Sequence, residues 1–92
     1  MGKYQVKVSS NYKTQRKKLS QNELILVDEI VTKLANDEVL EPKYNDHQLN
    51  GNLKDYRECH IKSDLLLIYQ KRDYELILYC LAVGSHSELY NK

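Results

Sequence analysis

The chain has 92 residues with 14 basic and 13 acidic side chains, a formal net charge of +1 at pH 7. That length is expected to hold one hydrophobic core, a single domain over residues 1–92, and it leaves no room for a second. No apolar run approaches the roughly 20 residues that cross a bilayer, and the N-terminus carries charges but no apolar signal segment, so the expectation is a soluble cytoplasmic protein.

The charge is unevenly spread. Residues 1–20 hold six basic side chains (Lys3, Lys7, Lys13, Arg16, Lys17, Lys18) and no acidic one, whereas the remainder carries 8 basic and 13 acidic groups. Such asymmetry suits contact with a polyanion through the N-terminal segment, although a solvated helix face gives the same pattern. The two cysteines, Cys59 and Cys80, lie in strand-like runs without CxxC or Cys/His spacing, which fits half-buried free thiols in a reducing compartment. All eight aromatic residues are tyrosines. Their rings can pack while their hydroxyls stay wet, as in a half-open sheet or a base-stacking surface.

Residues 3–9 alternate Tyr4, Val6 and Val8 with polar side chains, the period of a one-sided strand. Residues 12–18 are polar and basic and suit a short first helix. Ser20-Gln21-Asn22-Glu23 reads as a capping box. Behind it Leu24, Val27, Ile30, Val31 and Leu34 recur at helical spacing, predicting an amphipathic helix to about Asn36. Periodicity then disappears over residues 37–55, where Pro42, Asn45, Asn50, Gly51 and Asn52 favour loop; a loop of that length in a small domain is usually functional. Three strand-like runs follow at 56–62, 64–71 and 74–83, with Lys62-Ser63-Asp64 and Lys71-Arg72-Asp73 as hairpin connections. The middle run is apolar on both faces and should be central. The order predicts an α+β fold, β-α-α-β-β-β, with two helices on one face of a largely antiparallel four-stranded sheet and function on the open face.

The residues with chemistry to offer are His47 in the long loop, His60 on the first of the three strands, and His86 just after the last. Tyr56, Glu58, His60 and Lys62 share one strand face, opposite Arg57, Cys59 and Ile61. The polar set suits the open face, where Asp64 could hydrogen-bond a histidine. RNA cleavage through the 2′-hydroxyl requires a base for that proton, an acid for the leaving 5′-oxygen and a donor or cation for the charge on phosphorus. Histidine fits the first two tasks because its ordinary pKa lies near 6.5. Three histidines and an aspartate are also a donor set for zinc, but HxH, HExxH and helical i/i+4 pairs are missing. Three incidental histidines remain an open reading. The residues alone stop at a metal-free phosphodiesterase or an RNA binder.

The stretch Asp46-His47-Gln48-Leu49-Asn50-Gly51-Asn52-Leu53-Lys54-Asp55-Tyr56-Arg57-Glu58-Cys59-His60-Ile61 resembles the DHPLxGxWxxxRECHI motif of YafQ-type toxins in the RelE/ParE superfamily. Asp64-Leu65-Leu66-Leu67-Ile68-Tyr69 is similar to their DLLLIY strand, and Gly84-Ser85-His86-Ser87-Glu88-Leu89-Tyr90 to their terminal GSHSELF. The resemblance implies a RelE-like fold and metal-independent, cofactor-free cleavage of mRNA in the ribosomal A site. It implies catalytic positions at His47, His60, Asp64 and His86, with His86 and one of the other histidines moving protons and Asp64 orienting a histidine or the nucleotide. Tyr90 would stack on a base; Lys54, Lys62 and Arg57 are candidate RNA contacts, Arg57 equally a structural residue. Lys13, Arg16, Lys17 and Lys18 are candidates for rRNA. The implied partners are the ribosome with its mRNA and a cognate antitoxin of DinJ/RelB-like type, which would bring promoter DNA into contact only through the complex. The chain departs from the pattern in its near-neutral charge, in Tyr90 for Phe, and in Leu53 and Leu65 where relatives carry Trp. Two rival functions share the fold: a gyrase-directed toxin like ParE, for which the histidines have no use, and a degenerate module that binds the ribosome or an antitoxin without cleaving. A zinc hydrolase is the third.

Overall fold

The computed structural model describes residues 3–90. It contains β1 (Gln5–Val8), α1 (Ser10–Arg16), α2 (Gln21–Ala35), β2 (His47–Gln48), β3 (Arg57–Lys62), β4 (Leu65–Arg72), β5 (Ile77–Gly84) and α3 (His86–Tyr90), with single 3₁₀ turns at Pro42–Tyr44 and Gly51–Leu53. The sheet has five strands in the order β1-β5-β4-β3-β2. β1 runs parallel to β5, and the other neighbours are antiparallel.

Both local signals at the start of α2 are realised. The Ser20 hydroxyl accepts the Glu23 amide at 3.2 Å, and the Glu23 carboxylate accepts the Ser20 amide at 3.0 Å, which satisfies two of the helix's orphan donors. Val27, Ile30 and Leu34 from this helix, with Tyr12 from α1, pack on Cys59, Leu67, Tyr69, Leu78, Cys80 and Val83 of the sheet. β4 is the middle strand, as its two-sided apolar run requires: Leu65 to Tyr69 are all buried. Leu65, Leu67 and Tyr69 belong to the helix-covered core. Leu66 and Ile68 point the other way, opposite His60 and Glu58 of β3.

A bulge in β5 keeps the core continuous. Ile68 pairs with Ala82 and Tyr69 with Cys80, so Leu81 has no partner across the ladder. The extra residue shifts the inward-facing set from Leu78 and Cys80 to Val83. α1 is fastened at the same place, where Ser9 Oγ donates to the Leu81 carbonyl at 2.6 Å and Gln15 Oε1 accepts the Val83 amide at 2.9 Å.

The expected four strands and β-α-α-β-β-β order are corrected in two places. A fifth strand, β2, lies inside the segment expected to be loop; two residues are too few to carry a period, and side-chain bonds from Asp46 hold them beside β3. A third helix follows β5, where only a loop was expected. Ser85 Oγ accepts the Glu88 amide at 3.1 Å and Glu88 Oε1 accepts the Ser85 amide at 2.9 Å. This is the same Ser-x-x-Glu box as at α2, legible in the sequence but followed by too short a segment to show helical spacing. The last hairpin also differs: the chain turns at residues 73–76, with Leu76 at φ 54°, so Tyr74 is fully exposed rather than in a strand.

Candidate active site around Glu58

The face opposite α1 and α2 is formed by alternate residues of β3 and β4 and is reached by Tyr90 of α3. His60 and Glu58, two residues apart on β3, point to it together. β2 brings His47 directly opposite Glu58 in register. The Glu58 side chain is 8% exposed, and its Oε1 lies 3.3 Å from His60 Nε2 and 3.5 Å from His47 Nε2. The two imidazole centroids are 6.2 Å apart. The other carboxylate oxygen accepts the Tyr90 hydroxyl, and the Tyr90 ring is 5.0 Å from that of His86. His47, His60, Tyr90 and His86 are thereby linked in one series of contacts through a buried carboxylate. Burial and the bond to Glu58 push the Tyr90 hydroxyl well above its ordinary pKa, so it remains a donor.

His47 is aimed from both sides. Its Nδ1 donates to the Asn45 carbonyl at 2.7 Å, which leaves Nε2 for the carboxylate; a second ring proton, when present, sits on the nitrogen facing Glu58. Asn45 takes a left-handed conformation, φ 46°, a backbone that Asn tolerates better than most residues. Next in the chain, Asp46 Oδ1 accepts the Tyr69 hydroxyl at 2.6 Å and Arg57 Nε at 3.2 Å, and its carbonyl accepts Arg57 Nη2 at 3.3 Å. The Asp46–Arg57–Tyr69 group fixes the loop to the core side of the sheet.

Asp64 is not placed against an imidazole. Its Oδ1 accepts the backbone amide of His86 at 3.1 Å, pinning the first turn of α3. Lys62 pairs with Glu23 at 3.0 Å, and Arg57 with Asp46. Lys54 is exposed beside the Gly51–Leu53 turn. Of the N-terminal candidates, Arg16 makes a two-pronged bond to Asp28 at 2.6 and 2.8 Å, while Lys13, Lys17 and Lys18 are exposed. Cys59 and Cys80 are free and buried, more deeply than the half-burial expected, and desolvation pushes both thiols up to about 12. Among the described residues, no three His, Cys, Asp or Glu side chains are grouped to hold a metal ion.

The structure thus joins His47 and His60 directly, and His86 through Tyr90. It adds two residues that have no role in the sequence reading. Glu58 shares the strand face of His60, so alternation alone could have flagged it. Asp46 adjoins His47, but its bond to Tyr69 spans 23 positions and has no local signature.

A model of the family described as a bacterial toxin of type II toxin–antitoxin systems, YafQ, matches residues 4–91. The chain is 38% identical over 47 residues to the mRNA interferase toxin YafQ of Escherichia coli K12; the match spans 51% of this chain and 49% of that protein, so the chain covers about half the length of this curated relative. Its fold superposes on a metal-bound toxin from Helicobacter pylori with a TM-score of 0.85 and 44% identity, covering 95% of this chain and 99% of that one. It superposes on the E. coli DinJ–YafQ toxin–antitoxin complex with a TM-score of 0.83 and 27% identity, covering 96% and 98%. With the whole sheet, all three helices and the site within the matched residues, the chain belongs to the YafQ family of bacterial type II toxin–antitoxin toxins.

Proposed function

We propose that this chain is a ribosome-dependent endoribonuclease that cuts mRNA in the A site and so stops translation. The observation that carries the proposal is the Glu58 carboxylate, 8% exposed, with His47 and His60 on one oxygen and Tyr90 on the other. A buried carboxylate needs donors, and an imidazole that can gain or lose a proton beside it is a natural acid or base. The E. coli relative is an mRNA interferase, and that activity matches this arrangement.

In the proposed reaction a histidine takes the proton of a 2′-hydroxyl, and the oxygen attacks the adjacent phosphorus. The bond to the 5′-oxygen breaks, and a second histidine protonates that leaving group. The products are a 2′,3′-cyclic phosphate and a 5′-hydroxyl end. His86 takes one proton role and His47 or His60 the other. Glu58 keeps the two imidazoles on the sheet face, and Asp64 holds His86 through its backbone. Because the nucleophile belongs to the substrate, this scheme needs neither metal nor cofactor. Positioned proton donors and acceptors each contribute about 10²–10⁴-fold. Tyr90, Lys54, Lys62 and Arg57 would contact the mRNA, and Lys13, Arg16, Lys17 and Lys18 the rRNA.

The chain would act as one functional domain, in the cytoplasm, under the control of an antitoxin. No helix among the described residues is long and apolar enough to cross a membrane. The complex of the E. coli relative with DinJ supports a cognate antitoxin here, with promoter DNA bound only through the pair. Primer extension on a defined mRNA programmed in ribosomes tests the central claim. Wild type should give discrete A-site cuts and His86→Ala none, with the variant still folded. Wild-type protein that leaves every A-site codon intact would end the nuclease reading.

A further inference from the structure

Beside the histidine cluster, and sharing His60 and Lys62 with the proposed site, is a cleft whose other walls have no part in the proposed chemistry. Its volume is about 400 Å³, and it is walled by Leu26 of α2, Lys43 and Tyr44 of the first 3₁₀ turn, and His60, Ile61 and Lys62 of β3. It exists because β2 is short. β2 pairs only with residues 57 and 58 of β3, so the edge of β3 beyond them has no strand partner, and the 3₁₀ turn stands off it. Among the described residues, no hydrogen bond outside the sheet ladder engages the backbone of residues 59–62.

We propose that this cleft receives the base of the nucleotide next to the scissile phosphate, and so sets which sequences are cut; the inference rests on the nuclease reading. Three features fit that occupant. The size lies within the usual range of small-ligand sites. Leu26, Ile61 and the half-buried Tyr44 offer an apolar and aromatic wall for a base, while the open strand edge presents amide and carbonyl groups able to read its hydrogen-bonding rim. Two exposed lysines guard the mouth: Lys43 Nζ lies 5.2 Å from the Tyr44 ring centroid and Lys62 Nζ 3.0 Å from Glu23. Each can swing to a phosphate on either side of the seated base, Lys43 from a loose 3.7 Å contact with Glu41. His60 lines the cleft and also touches Glu58, so a base held here continues directly into the reacting site.

The test combines a titration with a cleavage pattern. Adenosine 3′-monophosphate and uridine 3′-monophosphate are titrated into the ¹⁵N-labelled chain, and the amides of residues 43–45 and 60–63 are expected to shift together. In parallel, wild type, Tyr44→Ala and Lys43→Glu are compared by primer extension on ribosomes programmed with every A-site codon. Tyr44→Ala should lower cutting about tenfold, the scale of one lost base–aromatic contact, and narrow the codon preference as the base slips from the strand edge. Lys43→Glu, at a phosphate contact, should lower cutting of all codons alike, with cutting retained in both. Lys43 is exposed, so its variant reports even if Tyr44→Ala fails to fold. Wild-type levels of cutting at every codon by the folded variants would overturn the cleft while leaving the nuclease standing. If wild type cuts nothing, the nuclease reading fails, and the titration alone decides: shifts confined to the cleft support it, and their absence removes it.

Discussion

Tyr90, the last residue of α3, donates its hydroxyl to the carboxylate of Glu58 on β3, 32 positions away. That bond closes the site. It ties the turn that carries His86 to the strand that carries His60, through a carboxylate almost withdrawn from water. A desolvated carboxylate is costly unless its lone pairs are occupied. Glu58 therefore stabilises the fold only while the Tyr90 hydroxyl and the two imidazoles beside its other oxygen stay in place, and the same requirement keeps those side chains where a substrate would meet them.

Replacing Tyr90 by Phe keeps the ring beside His86 and deletes the hydroxyl. Stability should fall by about 1–2 kcal/mol, the scale of losing one partner of a buried acceptor, as a lower urea midpoint with unchanged slope. Because the ring carries the proposed stacking, ribosomal cleavage should fall less in Tyr90→Phe than in Tyr90→Ala, which removes the ring as well. A Phe variant as stable as wild type would mean the Glu58 bond contributes nothing.

Asp64 gives a sharper contrast. Its carboxylate accepts a backbone amide, that of His86, and a neutral amide oxygen can do the same. Asp64→Asn should therefore retain cleavage to within a few-fold, whereas Asp64→Ala frees the first turn of α3 and should lose on the order of 10²-fold, the effect of misplacing a reacting group by about 1 Å. Equal losses in both variants would show that the charge itself acts, on substrate or on a histidine.

Such a distinction could not be drawn from the sequence, although much of the site could. His47, His60, Asp64, His86 and Tyr90 were legible through motif, and α2 through spacing and its capping box. The central place of Leu65–Tyr69 followed from an apolar run with no polar face. What stayed hidden was set by long-range pairing. β2 forms because Asp46 meets Tyr69 and Arg57, and no local pattern announces those partners. By sequence Lys62 reads as an RNA contact and Arg57 as either an RNA contact or a structural residue, and each is paired with a carboxylate distant in the chain. The bulge at Leu81 changes the facing of β5 in mid-strand, which strict alternation would misassign beyond Cys80.

Asp46 is the residue whose loss should separate fold from chemistry. Asp46→Ala strips the Tyr69 hydroxyl and Arg57 of their shared acceptor on the core side, with an expected cost of about 1–3 kcal/mol. It also frees the turn that aims His47, so cleavage should drop even under conditions where the variant is fully folded. Asp46→Asn keeps an acceptor oxygen for Tyr69 and should recover part of both. Measuring the urea midpoint and ribosomal cleavage on the same preparations tests the coupling. Wild-type cleavage by a destabilised Asp46→Ala would show that β2 finds its position without the anchor.

The chain should also be sensitive to alkali, for reasons visible in its core. Burial pushes Cys59 and Cys80 up to about 12 from an ordinary 9.0. Tyr12, Tyr69 and Tyr90 are raised above 10.0, in each case first by burial, and Tyr4 is raised to about 12, first by its bond to Asp73. In the unfolded chain these groups lose their protons near their ordinary values, so above that pH the folded state binds more protons than the unfolded one. Stability is then complete below about pH 9 and declines as pH rises towards 12, each buried thiol contributing a slope of about 1.4 kcal/mol per pH unit. The urea midpoint should accordingly hold between pH 7 and 8, begin to fall near 9 as the thiols come into play, and fall faster above 10 as the tyrosines join. A Cys59→Ala/Cys80→Ala double variant should shift the onset towards pH 10 and keep the steeper limb. In native wild type both thiols should resist a disulfide reagent at pH 8, reacting only after unfolding. A midpoint that stays flat from pH 8 to 11, or thiols that react at once in the folded protein, would contradict a core sealed around the two thiols.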